Sequence, residues 1–295
     1  MKDVSVVLAV YNEEKYVSET LESILSQTGL DFEVLVVDDN STDSTAEIIK
    51  SYENNHENIR YIKNTSKGKV SAFNLGVLLA EGKYKCLFAG DDIMPEGSLL
   101  NRLKVAKRLN ENTPGTGLYK IKTFSEDPKF DGKVVPKRKG KGNPSGQSPL
   151  MNEKLVELLF PVPEELPNED TWLEIAFSHL NQIQIIHSDV ICCFWRVHEG
   201  NTYNLNMSVY DYKERLLKRW YAFEIFYENF SEQLSESGKE MIKERIKCNA
   251  YYENGKFLKI LFSKLAFIEK LRMISTINPF FFGLRKGFYG ILSGW

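Results

Sequence analysis

Phe32-Glu33-Val34-Leu35-Val36-Val37-Asp38-Asp39-Asn40-Ser41-Thr42-Asp43 carries an apolar, β-branched run straight into two carboxylates and a cluster of turn and cap formers. The first six residues have the pattern of a buried strand, Asp38 to Thr42 that of a loop and cap, and Thr45 to Tyr52 that of a helix with Ala46 and Ile49 inward. The unit before it has the same grammar: Val4 to Val10 is a strand, and Tyr16, Val17, Thr20, Leu21, Ile24 and Leu25 fall at helical spacing. After it come a strand at Ile59 to Ile62, a helix at Val70 to Leu79 and a strand at Tyr84 to Ala89. Strands alternating with helices of this length imply right-handed βαβ crossovers and an α/β fold with a mainly parallel sheet covered on both faces. In such sheets ligands collect beyond the carboxyl ends of the strands.

Residues 127–149 break the pattern with prolines and glycines interspersed by Lys129, Lys133, Lys137, Arg138, Lys139 and Lys141, which reads as a mobile basic loop or lid. Order returns with a helix near Asn152 to Phe160, a turn at Pro161 to Pro167 and a helix from Thr171 to about Leu180. Strands at Ile183 to Ile186 and Val190 to Trp195 follow, and from about Ser208 the sequence is helical and aromatic.

The chain has 295 residues, 42% hydrophobic and 26% charged, which excludes wholesale disorder and a polytopic membrane protein. Lys plus Arg is 38 against 40 Asp plus Glu, so no nucleic-acid partner is indicated. The balance hides an asymmetry: from residue 256 on, Lys256, Lys259, Lys264, Lys270, Arg272, Arg285 and Lys286 face Glu269 alone. A basic tail mixed with Phe280-Phe281-Phe282 and Trp295, and with no charge-free window long enough to span, suggests an anionic membrane surface as partner. It also reads as a helical subdomain that packs on the protein or forms an oligomer. Cys86, Cys192, Cys193 and Cys248 show no zinc or disulfide spacing and read as structural thiols. The short apolar run at Val4 to Val10 is no signal peptide, so a cytoplasmic location is expected, peripheral on the inner face of the plasma membrane.

Asp38-Asp39 and Asp91-Asp92 both end strands at the carboxyl edge, where carboxylates suit Mg²⁺ or Mn²⁺ shared with diphosphate oxygens. The same acids also read as caps of the following helix or turn. Ser5 to Glu13, Val36 to Asp43 and Gly82 to Asp92, with Asn168-Glu169-Asp170 and Trp195-Arg196-Val197-His198, closely resemble family-2 glycosyltransferases of the GT-A fold, of the kind that assembles bacterial surface polysaccharide. The resemblance covers residues 3–105 most closely and fades beyond about residue 210. It implies a catalytic domain over 1–207, with a nucleotide-binding half at 1–105 and an acceptor half at 106–207, and a helical region over 208–295.

The resemblance also implies roles. Ala9, Tyr11, Glu13, Asp39, Asn64, Lys69 and Asp91 would contact the nucleotide, with Tyr11 stacked on uracil and Asp39 accepting from the base. Asn12 and Glu13 equally shape the loop, and Lys69 equally reads as a solvated lysine. Asp91 and His198 would meet Mn²⁺ or Mg²⁺, while Asp92, Glu169 and Trp195 would face the donor sugar or acceptor. Asp170 would be the general base, although Asn168 to Thr171 also reads as an ordinary helix start. Where the family commonly carries a further acid two residues before Asp91, this chain has Ala89, and Leu216 replaces the Gln of the polymerising Gln-x-x-Arg-Trp signature before Arg219-Trp220. The expected activity is therefore inverting, metal-dependent, non-processive transfer of a hexosyl or N-acetylhexosaminyl group from a UDP-sugar to a glycan or lipid-linked acceptor. A sugar nucleotidyltransferase and a non-catalytic carbohydrate- or lipid-binding scaffold are the alternatives.

Overall fold

The computed structural model describes residues 2–144, 146–198 and 207–287. The chain divides into two units, Met1–Leu173 with Gln182–His198, and Glu174–Asn181 with Glu199–Trp295.

The first unit is built on β1 (Val4–Val10), β2 (Phe32–Asp38), β3 (Ile59–Lys63) and β4 (Tyr84–Ala89), joined by α1 (Val17–Leu25), α2 (Thr45–Asn55) and α3 (Lys69–Leu79). Then come α4 (Ser98–Ala106), β5 (Gly115–Phe124), β6 (Val134–Val135), β7 (Leu150–Asn152), α5 (Glu153–Leu159), α6 (Asp170–His179), which ends in the second unit, and β8 (Gln184–Arg196). The sheet order is β3-β2-β1-β4-β7-β5-β6, with β8 running parallel to β5. Strands β3, β2, β1 and β4 are mutually parallel, as the βαβ grammar requires.

Both faces of the parallel half are covered, which is why β2 is buried at every position instead of alternating. Val6, Leu8, Val34, Val36, Cys86 and Phe88 form its interior, each contributing roughly 1.5–3 kcal/mol by leaving water. Register then aligns the carboxyl ends, since Val10 pairs with Asp38 and Ala9 with both Val37 and Ala89. The loops after β1, β2 and β4 therefore emerge side by side.

Past β4 the sheet is mixed. The three residues of β7 insert antiparallel between β4 and β5, a strand too short to show a period. The expected strands at 183–186 and 190–195 form one strand, β8, whose pairing with β5 shifts register beyond Leu118. The expected basic loop is fastened to β5 at its later part: Asn143 N donates to Tyr119 O at 2.6 Å, and Tyr119 N donates to Ser148 Oγ at 2.8 Å. All four cysteines are buried free thiols, in keeping with the structural reading.

The second unit holds α7 (Val209–Trp220), α8 (Ala222–Phe230), α9 (Glu236–Glu253), α10 (Phe257–Leu261), α11 (Phe267–Ile274) and α12 (Pro279–Gly287). Cys248, Tyr252, Ile260, Met273 and Ile277 are its buried centre, with Trp220 edge-on to Tyr252 at 4.8 Å. Among the described residues no helix is long and apolar enough to cross a membrane. Trp295 and the Glu199-Gly200-Asn201 end of the Trp195 motif lie outside the described residues.

Candidate active site

The β1 and β2 loops are sewn into one rim. Thr42 N donates to Asn12 Oδ1 at 2.8 Å, Asn12 N to Ser41 Oγ at 3.0 Å and Glu13 N to Thr45 Oγ1 at 2.8 Å. Asn12 and Asn40 pay for this with left-handed backbone, φ 55° and 65°. The rim leaves Tyr11 50% exposed, an open aromatic face. Ala9, just below, offers only a methyl group at the strand end.

The acids of the β2 pair divide their work. Asp38 accepts from Ser41 N at 2.9 Å and Tyr61 Oη at 3.0 Å, so it closes its own loop. Asp39 accepts from Asn64 Nδ2 at 2.8 Å and Gly68 N at 2.9 Å. Gly68, at φ 130°, lets the chain turn into α3 there. Asn64 is buried and braces Asp39, while Oδ2 of Asp39, which among the described residues accepts from the same Gly68 N–H at 3.0 Å, keeps capacity to accept from a base.

At the end of β4 the two acids again differ. Asp92 is fully buried, with Oδ1 accepting from Arg196 N at 2.8 Å and Oδ2 from the Gln147 amide. Burial and the adjacent Asp91 push its carboxyl well above the usual range. Both its oxygens are engaged within the protein, so Asp91 is the member presented outward. Asp91 Oδ2 lies 3.1 Å from His198 Nε2, whose ring packs 5.3 Å from that of Tyr16. Arg196 sits below, its Nε donating to Asp91 O at 2.7 Å and its Nη2 meeting Glu19 at 2.6 Å. Glu13 faces the same corner: burial, then Asp91 and Asp43, raise its carboxyl to about 7.

Across the rim, Lys69 at the start of α3 reaches Glu169 Oε1 at 3.2 Å. Burial pulls the ammonium down, but Glu169, Asp170 and Asp91 outweigh it and hold it above its ordinary value. Lys69 is thus common to the acids of β4 and those before α6. Glu169 is 1% exposed, and its Oε2 has no hydrogen-bond partner. Asp170 accepts from Gly146 N at 2.7 Å and Asn168 Nδ2 at 3.3 Å. Trp195 is half-buried on β8, packed against the sheet core.

The sequence profile of Glycosyl transferase family 2 matches residues 5–148, which include the Tyr11 rim, both acid pairs and the Gly146-Gln147 contacts. Residues 5–148 are a family-2 glycosyltransferase domain. The chain is 34% identical over 163 residues to the poly(ribitol-phosphate) beta-glucosyltransferase of Bacillus spizizenii, a match covering 54% of this chain and 24% of that relative. It is 42% identical over 112 residues to an uncharacterized glycosyltransferase of Methanocaldococcus jannaschii, 37% of each chain. This chain spans only 15% to 37% of the length of such curated relatives. Among solved structures, S. aureus TarS 1-349 in complex with UDP-GlcNAc has a TM-score of 0.62 at 22% identity, covering 96% of this chain and 84% of that one. The Pyrobaculum calidifontis mannosyltransferase PcManGT, in complex with GDP-Man and Mn²⁺, has 0.61 at 17%, covering 97% and 75%. These likenesses establish the fold, and it is the expected GT-A fold.

To a divalent ion the rim offers one carboxylate and one imidazole, Asp91 within the matched residues and His198 beyond them. Among the described residues no three His, Cys, Asp or Glu side chains form a cluster that could hold an ion. That donor set fits an ion whose remaining positions are filled by diphosphate oxygens and water, and not a closed protein cage. Ala89, where the family commonly places an acid, removes a further ligand.

Three contributors escape a reading by motif. Gln147 and Gly146 come from the segment expected to be a loose lid, yet they bind Asp92 and Asp170. Arg102 is fully buried and donates from Nη2 to the carbonyls of Gln147, Ser148 and Pro149 at 2.9, 3.1 and 3.3 Å. Its signal was available: Leu99, Arg102, Leu103 and Ala106 fall on one buried helical face, an arginine where a leucine belongs.

Proposed function

We propose that this chain transfers a sugar from a nucleoside-diphosphate sugar to a hydroxyl of a glycan or lipid-linked acceptor, with inversion at the anomeric carbon. The observation that carries the reading is the consecutive pair Gly146 and Gln147, which binds Asp170 and Asp92 at once. It sets the acceptor-side acid beside the acids at the end of β4.

In this reading Tyr11 stacks on the base, with Oδ2 of Asp39 as the acceptor beneath it. Asp91 and His198 would hold a Mn²⁺ or Mg²⁺ ion, which when bound would supply positive charge against the leaving diphosphate. Lys69 adds a second cation on the same side. Asp170, oriented by Gly146 and Asn168, takes the proton of the attacking hydroxyl. As the new C–O bond forms, the bond from the anomeric carbon to the diphosphate breaks and the nucleoside diphosphate leaves with that electron pair. A UDP-sugar of hexosyl or N-acetylhexosaminyl type is the favoured donor, supported by the glucosyltransferase relative and by the UDP-GlcNAc complex of TarS. Leu216 in place of the polymerising Gln supports addition of one residue at a time. Residues 1–207 would carry the reaction and 208–295 would place it, with a role in bacterial surface-polysaccharide assembly on the cytoplasmic face of the membrane.

Asp170→Asn keeps an oxygen to accept from Gly146 N but removes the base. It should bind nucleotide as wild type does while transfer falls about 10²–10⁴-fold. Unchanged turnover in that variant would overturn the assignment.

A further inference from the structure

The second unit presents a face that its own core does not explain. Ile260, Met273 and Phe282, with Ile277 between α11 and α12, already fill the inward side of α10 to α12. Outside that core, Leu258 is 55% exposed, Phe262 83%, Phe267 70%, Ile268 42%, Phe280 71% and Leu284 49%. The helices that carry them meet, because α10 packs against α11 and a run of rings from Phe257 through Phe281 to Phe280, at 5.6 and 5.5 Å, joins α10 to α12. Soluble monomers seldom leave so many large apolar groups together in water.

Charge identifies the occupant. Lys256 and Lys264, on either side of α10, and Lys259 within it are exposed, Lys270 on α11 is half-exposed, and among the described residues none of the four has a carboxylate partner. Glu269, the single acid of the region, is instead paired with Arg245 at 3.5 Å. A protein partner would have to supply apolar pockets and several acids. An anionic bilayer supplies both, taking rings at the acyl boundary and lysines at the headgroups.

We infer that the exposed aromatic and aliphatic face of α10 to α12 is a docking surface for an anionic lipid bilayer, entered by Phe262, Phe267 and Phe280 and held by the flanking lysines. This gives a site to the lipid-linked acceptor of the proposed function and rests on that reading only for its purpose. The binding itself is independent of transfer.

The test floats the full chain with vesicles of phosphatidylcholine alone and of phosphatidylcholine with about one-third phosphatidylglycerol. Wild type should float with the anionic vesicles, less so at high salt, and the triple variant Phe262→Ser, Phe267→Ser, Phe280→Ser should lose at least about tenfold in partitioning. Lys259→Glu with Lys264→Glu should lose binding to anionic vesicles alone. Circular dichroism and nucleotide binding confirm that each variant is folded. Absence of flotation, or a triple variant that floats like wild type, overturns the inference. A triple variant that changes only the oligomeric mass by light scattering also overturns it and assigns the face to a second copy. Turnover of UDP-sugar, measured separately, reports on the catalytic reading whichever result is obtained.

Discussion

Glu13 sits where a carboxylate is hard to ionise, between Asp91, Asp43 and the strand ends, and its pKa rises from 4.5 to about 7. Between those values the folded chain holds a proton that the unfolded chain has lost. The stabilisation from this group is therefore complete below pH 4.5, falls as pH rises and is gone above about 7. Glu13→Gln should gain stability relative to wild type on going from pH 5 to pH 8, by on the order of 1 kcal/mol in metal-free buffer. Equal differences in denaturant midpoint at both pH values would contradict the burial assigned to it. Gly90 makes a sharper case at the same scale. A Cβ there would come 2.7 Å from Val10 Cγ1 and 3.1 Å from Glu13 Cγ. Gly90→Ala should cost about 1–3 kcal/mol and displace the Asp91 side chain. Urea titration checks the cost, and weakened nucleotide binding checks the displacement.

Among the elements, the segment 146–149 does most to connect chemistry with structure. Arg102 on α4 holds its carbonyls, and Gln147 closes on buried Asp92. Gln147→Leu removes the amide that donates to this buried carboxyl, which should cost about 1–3 kcal/mol and lower kcat more than the KM for the donor. An unchanged kcat with a raised KM would place Gln147 in simple binding instead. Lys69→Met tests the other link. It strips Glu169 of the cation paired with it, so activity should fall and Lys69→Arg should restore part of it; equal loss in both variants would contradict a charge role.

These elements also mark what the chain discloses in advance. The parallel half was legible because β1, β2 and β4 are buried on both faces, and continuous apolar runs ending in acids have few other solutions. Asp91 and Asp170 were legible as motif members. Gln147 and Gly146 were not, since a contact made through a glycine amide and one glutamine in a Pro- and Gly-rich stretch leaves no periodic trace. The sequence marks Lys69 as a nucleotide contact or a solvated lysine; its pairing with Glu169, a residue a hundred positions away, is a proximity that no local pattern records.

At the scale of the whole molecule, a family-2 glycosyltransferase domain is joined to a helical unit of different character. Acids gather at the carboxyl edge of the first, while lysines and exposed rings gather on the second. The proposed function requires that the rim of the first unit bind a nucleoside diphosphate through Asp91 and His198 together with a divalent ion. The most direct measurement is the thermal shift of the full chain with UDP, GDP, CDP and dTDP, each with and without Mn²⁺, on wild type and Asp91→Asn. One nucleotide, UDP in this account, should stabilise wild type only when Mn²⁺ is present, and the variant should lose that shift, because a ligand selective for the folded state raises its stability by mass action. No shift with any nucleotide, or an undiminished shift in Asp91→Asn, would contradict it.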